Sequence, residues 1–165
     1  MKTALVYSQH SENTAKIVAI INDYLKEKIT EVNVENASFD ELLKYDLLIL
    51  GISTWFDGEL PNYWDEYLPG LEELDFSGKK VAIFGLGNQA GYPENYQDAM
   101  GILADFFKSR GAEIIGYTSA DSYSFECSLA VKDGQFCGLA IDTSFPAEKT
   151  KKLIEEWVDG FFGQG

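Results

Sequence analysis

The chain has 165 residues, 45% of them hydrophobic, enough to close one core of ordinary size without metal or disulfide staples, so a single domain over residues 1–165 is expected. Asp and Glu number 27 against 13 Lys and Arg, a formal net charge of -14. That sign repels nucleic-acid phosphates and anionic membrane surfaces, so neither is an expected partner; basic proteins are, although a merely well-solvated surface would carry the same acidic excess.

The N-terminus runs directly into Thr3 to Tyr7, an apolar run too short for a signal peptide, and no later stretch reaches the length of a membrane span. A cytoplasmic protein with no membrane insertion is expected. Further runs of strand length follow at Glu31 to Val34, Asp46 to Leu50, Val81 to Gly85 and Glu113 to Tyr117. They are short and largely unalternated, the pattern of strands buried on both faces of a parallel sheet. Between them lie helical spacings. Asn13 to Lys28 carries Ile17, Ala19, Ile20, Ile21, Tyr24 and Leu25; Asn95 to Arg110 carries Ala99, Met100, Leu103, Phe106 and Phe107 before a capping Gly111; Pro146 to Phe162 supplies a last helix. Strict alternation of strand and helix predicts an α/β fold, a doubly wound three-layer α/β/α sandwich on a five-stranded parallel sheet.

Ser122 to Ile141 breaks this rhythm. It is polar and aromatic, with a Lys132-Asp133-Gly134-Gln135 turn between extended pieces, and reads as a hairpin insertion within or beside the last strand, with Leu139 to Asp142 returning to the sheet edge. The two cysteines, Cys127 and Cys137, read as free thiols, with pairing across the hairpin left open, and with His10 as the single imidazole no metal site is expected.

In an open α/β sheet, ligands bind beyond the carboxyl ends of the strands where strand order reverses. Three loops fall on that edge. Gln9-His10-Ser11-Glu12-Asn13-Thr14 opens the first helix, where orphan backbone N–H groups and the helix dipole favour a phosphate; simple capping by Ser11 or Asn13 explains the same residues. Gly51 to Pro61 places Trp55-Phe56 in a glycine-flanked loop with Ser53, Thr54, Asp57 and Gly58, and a wet aromatic pair is costly unless it covers a core edge or a flat ligand. Gly85 to Tyr96 brings glycines, Asn88 and a second aromatic, Tyr92. Together the loops suggest a phosphate at one end and a planar ring between two aromatics at the other.

Thr54-Trp55 followed by Gly58-Glu59-Leu60, then Gly85-x-Gly87-x-Gln89-x-Gly91-Tyr92 and Asn95-Tyr96-Gln97-Asp98-Ala99-Met100, are similar to the two flavin loops of the flavodoxin family. The segment with Phe125-x-x-Ser128-x-Ala130-Val131 and Phe136-x-Gly138-Leu139-Ala140-Ile141-Asp142 resembles the insertion of its long-chain members, especially cyanobacterial and algal ones. The resemblance implies non-covalent FMN as cofactor, held by Gln9, His10, Ser11, Glu12, Asn13 and Thr14 at the phosphate. Trp55 and Tyr92 would sandwich the ring, Asn88 would face its pyrimidine edge, and Ser53, Thr54, Phe56, Asp57, Gly58, Gly87 and Asn95 would complete the site. In the family the peptide after the loop tryptophan turns over on reduction to accept a hydrogen bond from flavin N5–H; here it joins Phe56 to Asp57.

The implied function is a low-potential one-electron carrier, a monomer and not an enzyme, with ferredoxin-NADP reductase and photosystem I as candidate partners. A quinone-type FMN-dependent reductase could use the same site but would need a substrate pocket over the ring. The family's usual phosphate loop, Thr-x-Thr-Gly-x-Thr, is replaced here by Gln9-His10-Ser11-Glu12-Asn13-Thr14, so a carboxylate, Glu12, enters next to the phosphate position, where it is expected to turn to solvent while His10 compensates. A response-regulator receiver would need clustered acids after the first strand, and a P-loop NTPase would need GxxxxGK[ST]; neither is present.

Overall fold

The computed structural model describes residues 1–25, 29–54 and 58–162. Its central sheet is parallel. Strands β1 (Thr3–Tyr7), β2 (Thr30–Asn33), β3 (Leu47–Ser53), β4 (Lys80–Gly87) and β5 (Glu113–Ile115) lie in the order β2-β1-β3-β4-β5. The chain thus steps one way from β1 and then back across it, which puts the reversal of strand order between β1 and β3.

The unalternated apolar runs are explained by burial on both faces. Ala4, Val6, Leu48, Leu50, Val81 and Ile83 join one core cluster, while Leu5, Tyr7, Leu47, Ile49, Ala82 and Phe84 join the other. Successive side chains of a strand point to opposite faces, so a sheet covered twice needs an apolar residue at every position. Each fully buried Leu or Ile contributes about 1.5–3 kcal/mol. Helices α1 (Glu12–Leu25) and α4 (Ala147–Phe161) cover one face through Ile17, Ile21, Ile154 and Trp157. Helices α2 (Asn62–Tyr67) and α3 (Asp98–Ser109) cover the other through Trp64, Met100, Leu103 and Phe107.

Three features differ from the sequence reading. The crossover from β2 to β3 is a 3-10 turn, Phe39–Lys44, rather than an α-helix, and α2 is one short helix continued by a second 3-10 turn, Leu68–Leu71. Pro69 and Gly70 stop α2 from lengthening. The last helix of the β4 crossover also starts three residues later than its apolar spacing predicts, because buried Gln97 takes a left-handed conformation at φ 58. Gly111, at φ +99, ends α3 as expected.

The fifth sheet position is split by the insertion. After β5 the chain leaves the sheet to form a small antiparallel sheet of β6 (Thr118–Ser119), β7 (Val131–Lys132) and β8 (Gln135–Phe136), then returns as β9 (Leu139–Asp142). β5 pairs with β4 at Lys80 to Ala82 and β9 pairs with the same strand at Phe84 to Gly87. The β7–β8 turn has positive φ at both Asp133 and Gly134, the conformation that suits a two-residue hairpin. Cys127 and Cys137 are free thiols.

Candidate cofactor site at the carboxyl edge of the sheet

β1 ends at the switch point, and its loop is pinned before it enters α1. The Ser11 N–H donates to the Ser8 carbonyl at 3.0 Å, and the Ala15 N–H donates to the Ser11 carbonyl at 2.9 Å as the first helical bond. Ser11 therefore stands at the N-cap, with its hydroxyl 2.8 Å from that of Thr14. The first-turn N–H groups that follow it have no intrahelical acceptors and face outward with the positive end of the dipole, the donor set an anion needs. Thr14 is buried, whereas Gln9, His10, Glu12 and Asn13 are exposed.

His10 is engaged sideways. Its Nδ1 meets the Glu35 carboxylate just beyond β2, and Asn33 Oδ1 accepts the N–H groups of Gln9 and Glu35 at 3.3 and 3.2 Å. The hydrogen bond from His10 holds the Glu35 carboxyl below the usual carboxylate range against a smaller opposing effect of burial. Tyr63 of α2 hydrogen-bonds to the Ser11 side chain from the other side, and burial raises its phenol above the ordinary range. None of these partners of the loop was read from the sequence. Their signal, polar residues at the ends of β2 and α2, becomes visible only once strand order is known.

β3 runs past Gly51, where a Cβ would stand 2.4 Å from the Phe84 ring and 2.8 Å from Thr14 Cγ2. Ser53 is half-buried, the Thr54 N–H donates to the Leu86 carbonyl at 3.2 Å, and the Thr54 hydroxyl accepts the Ala99 N–H at 3.1 Å. Trp55, Phe56 and Asp57 lie outside the described residues. The chain resumes at Gly58, buried and at φ +90, where a Cβ would stand 2.7 Å from Asp98 Oδ2.

The loop after β4 is tight. The Asn88 carbonyl accepts the Tyr92 N–H at 2.9 Å, and its side-chain oxygen turns inward to the Gly91 N–H, also at 2.9 Å. Half-buried Gly87 leads into this turn, and Tyr92 stands at its outer end, 45% exposed. Asn95 turns its amide onto Asp98 at 3.3 Å. From behind, buried Asp142 at the end of β9 accepts the Gln89 N–H at 2.7 Å, together with the N–H and hydroxyl of Ser144. Asp142 and Asp98 were missed as supports of the site, although the carboxyl end of a strand and the first turn of a helix are where such supports belong.

The described loop residues thus converge on one edge, with a helix N-terminus at one end and an exposed aromatic at the other. Among the described residues no cluster of His, Cys, Asp and Glu could hold a metal ion, and no helix is long and apolar enough to cross a membrane.

Fold and edge together define a doubly wound α/β protein of the kind that takes a phosphate-bearing planar ligand at its switch point. A family model described as flavodoxin matches residues 5–157. Flavodoxin 1 of Escherichia coli K12 is 39% identical over 158 residues, covering 94% of this chain and 90% of its own. The flavodoxin of Synechococcus elongatus is 41% identical over 159 residues, covering 95% and 94%. The crystal structure of Fusobacterium nucleatum flavodoxin bound to flavin mononucleotide superposes with a TM-score of 0.89 at 33% identity, over 97% of this chain and 96% of that one. The chain belongs to the flavodoxin family.

Proposed function

We propose that this chain is a one-electron carrier holding one FMN without a covalent bond, and that it works as a monomeric, cytoplasmic, single-domain protein between larger redox enzymes. The observation that carries the reading is the meeting of the three loops at the strand-order reversal. The donor set fits the cofactor: the first-turn N–H groups of α1 with Ser11 and Thr14 suit a phosphate, and the exposed ring of Tyr92 suits a flat isoalloxazine.

In this reading FMN supplies reversible one-electron chemistry, and the protein supplies position and field. Gln9 to Thr14 would hold the phosphate. Ser53, Thr54, Trp55, Phe56, Asp57 and Gly58 would form one side of the ring site, and Gly87, Asn88, Tyr92 and Asn95 the other. Glu12, on the exposed side of the first turn, would keep its carboxylate in water, while His10 would act through its Glu35 contact rather than on the phosphate alone. A net charge of -14 opposes adding further negative charge to a bound ring and attracts basic partners, of which ferredoxin-NADP reductase and photosystem I are the candidates.

The test is the absorbance of the purified chain, before and after addition of FMN. The reading expects a yellow protein with one FMN per chain, released by acid, and no NAD(P)H turnover without a partner. A chain that takes up FAD instead, or no flavin, would overturn it.

A further inference from the structure

A cleft of about 520 Å³ lies beside the loop that opens α1, between the chain leaving β2 and α2. Three aromatic rings wall it: Phe39 from the first 3-10 turn, and Tyr63 and Tyr67, one helical turn apart on α2. Phe39 and Tyr67 have ring centroids 5.4 Å apart and planes 40° from parallel, and Trp64 backs Tyr67 edge-on at 6.2 Å. The Phe39 ring fills the space that Gly70 leaves, since a Cβ there would stand 2.2 Å from it, yet Phe39 remains 47% exposed. The Tyr67 hydroxyl is spent on the Ser38 carbonyl at 2.9 Å, so its ring is what it offers the cleft. A cleft of this volume is the size of a small-molecule site, and its aromatic wall is costly to leave wet.

The charge of the cleft has one sign. Glu35 and Glu66 line it, and no Lys, Arg or His does among the described residues. The field of Glu35 reaches Tyr63, and burial followed by the charges of Glu41 and Asp40 pushes the Tyr67 phenol up to about 12. The neighbouring cations are engaged elsewhere: Lys44 with Glu41 at 2.8 Å, and Lys79 with the Leu43 carbonyl at 2.6 Å. His10 meets Glu35 from the side of the first loop, whereas Glu66 has no ion-pair partner among the described residues. Carboxylates beside the negative faces of aromatic rings attract an organic cation and repel an anion.

We propose that this cleft is a binding site for a small organic monocation with a flat apolar body, its ammonium toward Glu35 and Glu66 and its body against Phe39 and Tyr67. The assignment stands on the cleft and is independent of the FMN reading above. Glu35 and Tyr63 also hold the first loop, through His10 and the Ser11 side chain. A cation in the cleft presents its charge to the same carboxylate that His10 meets, so its arrival is felt at the imidazole.

NMR titration of the full chain with three probes of similar shape tests this: tyramine, a cation; 4-ethylphenol, neutral; and 3-(4-hydroxyphenyl)propionate, an anion. Tyramine is expected to saturate one site, shifting the Ala37 and Tyr63 amides together with the ring signals of His10, the single imidazole of the chain. It should bind at least about ten-fold more tightly than 4-ethylphenol, and the anion should not bind. Glu66→Gln should weaken tyramine about three- to ten-fold and leave 4-ethylphenol unchanged. Glu113→Gln, which removes the same charge from an exposed position at the amino end of β5, should change neither. Phe39→Leu, which keeps an apolar side chain without a ring face, should weaken tyramine more than 4-ethylphenol. Equal binding of the cation and the neutral probe, equal weakening by the two glutamate variants, or no saturable binding of tyramine would overturn the assignment.

Discussion

The Asp142 carboxylate, 2% exposed, accepts the Gln89 N–H at 2.7 Å and so ties the end of the last strand to the loop after β4. It also accepts both donors of Ser144. Asp142→Ala leaves three donors without their acceptor and is expected to cost about 1–3 kcal/mol of stability, measured by urea unfolding. Asp142→Asn retains one acceptor oxygen and should cost less. Equal losses in the two variants would mean that the single acceptor oxygen kept by Asn holds none of the three donors and that both carboxylate oxygens are needed.

Tyr92 should separate binding from folding. Its ring is 45% exposed, so Tyr92→Ala should leave the unfolding midpoint of the empty protein nearly unchanged. FMN affinity should fall by about 1–3 kcal/mol, the scale of aromatic stacking on a flat ligand. Unchanged affinity in the titration would remove Tyr92 from the ring site.

Gly51 is a steric position. Both the Phe84 ring and Thr14 crowd the space its side chain would occupy, so Gly51→Ala should destabilise the fold by about 1–3 kcal/mol through overpacking, with a lower thermal midpoint. Because Thr14 ends the first turn of α1, FMN affinity should fall with it. A variant as stable as the parent would require the two neighbours to yield without cost.

The two thiols should differ sharply. Burial pushes the Cys137 thiol up to about 11, whereas Cys127 is exposed. A thiol-specific disulfide reagent at pH 8 should modify one cysteine per chain quickly, since the thiolate is the reactive form, and the second should respond only as pH approaches 11 or the chain unfolds. Fast reaction of both in the folded protein would contradict the burial of Cys137.

The His10 contact sets a pH dependence. Because the Glu35 carboxyl titrates below its ordinary value in the folded chain, its pairing contributes above the ordinary carboxylate range and is lost as pH falls through the depressed value. In His10→Ala that carboxyl should titrate closer to the ordinary value, read by NMR of the glutamate carboxyl carbons. No upward movement would place the cause of the lowering elsewhere than in His10.

Local sequence determined the elements whose cause is local. An apolar residue at every position of Ala4 to Tyr7 or Leu47 to Leu50 can be satisfied only by a strand covered on both faces, and α1 and α4 carry their apolar stripes at helical spacing. The loop motifs, read with the family resemblance, likewise marked the edge on which the described site residues meet. What the tertiary structure decided is non-local. That Gln89 meets an aspartate 53 residues away, that His10 turns to a glutamate beyond β2, and that Asp98 joins two loops to the insertion all depend on which strands become neighbours. A carboxylate in a sequence can end up solvated, paired or buried with equal chemical propriety. Only strand order brings the donors for Asp142 and Asp98 within reach and makes those two acids supports of the candidate site.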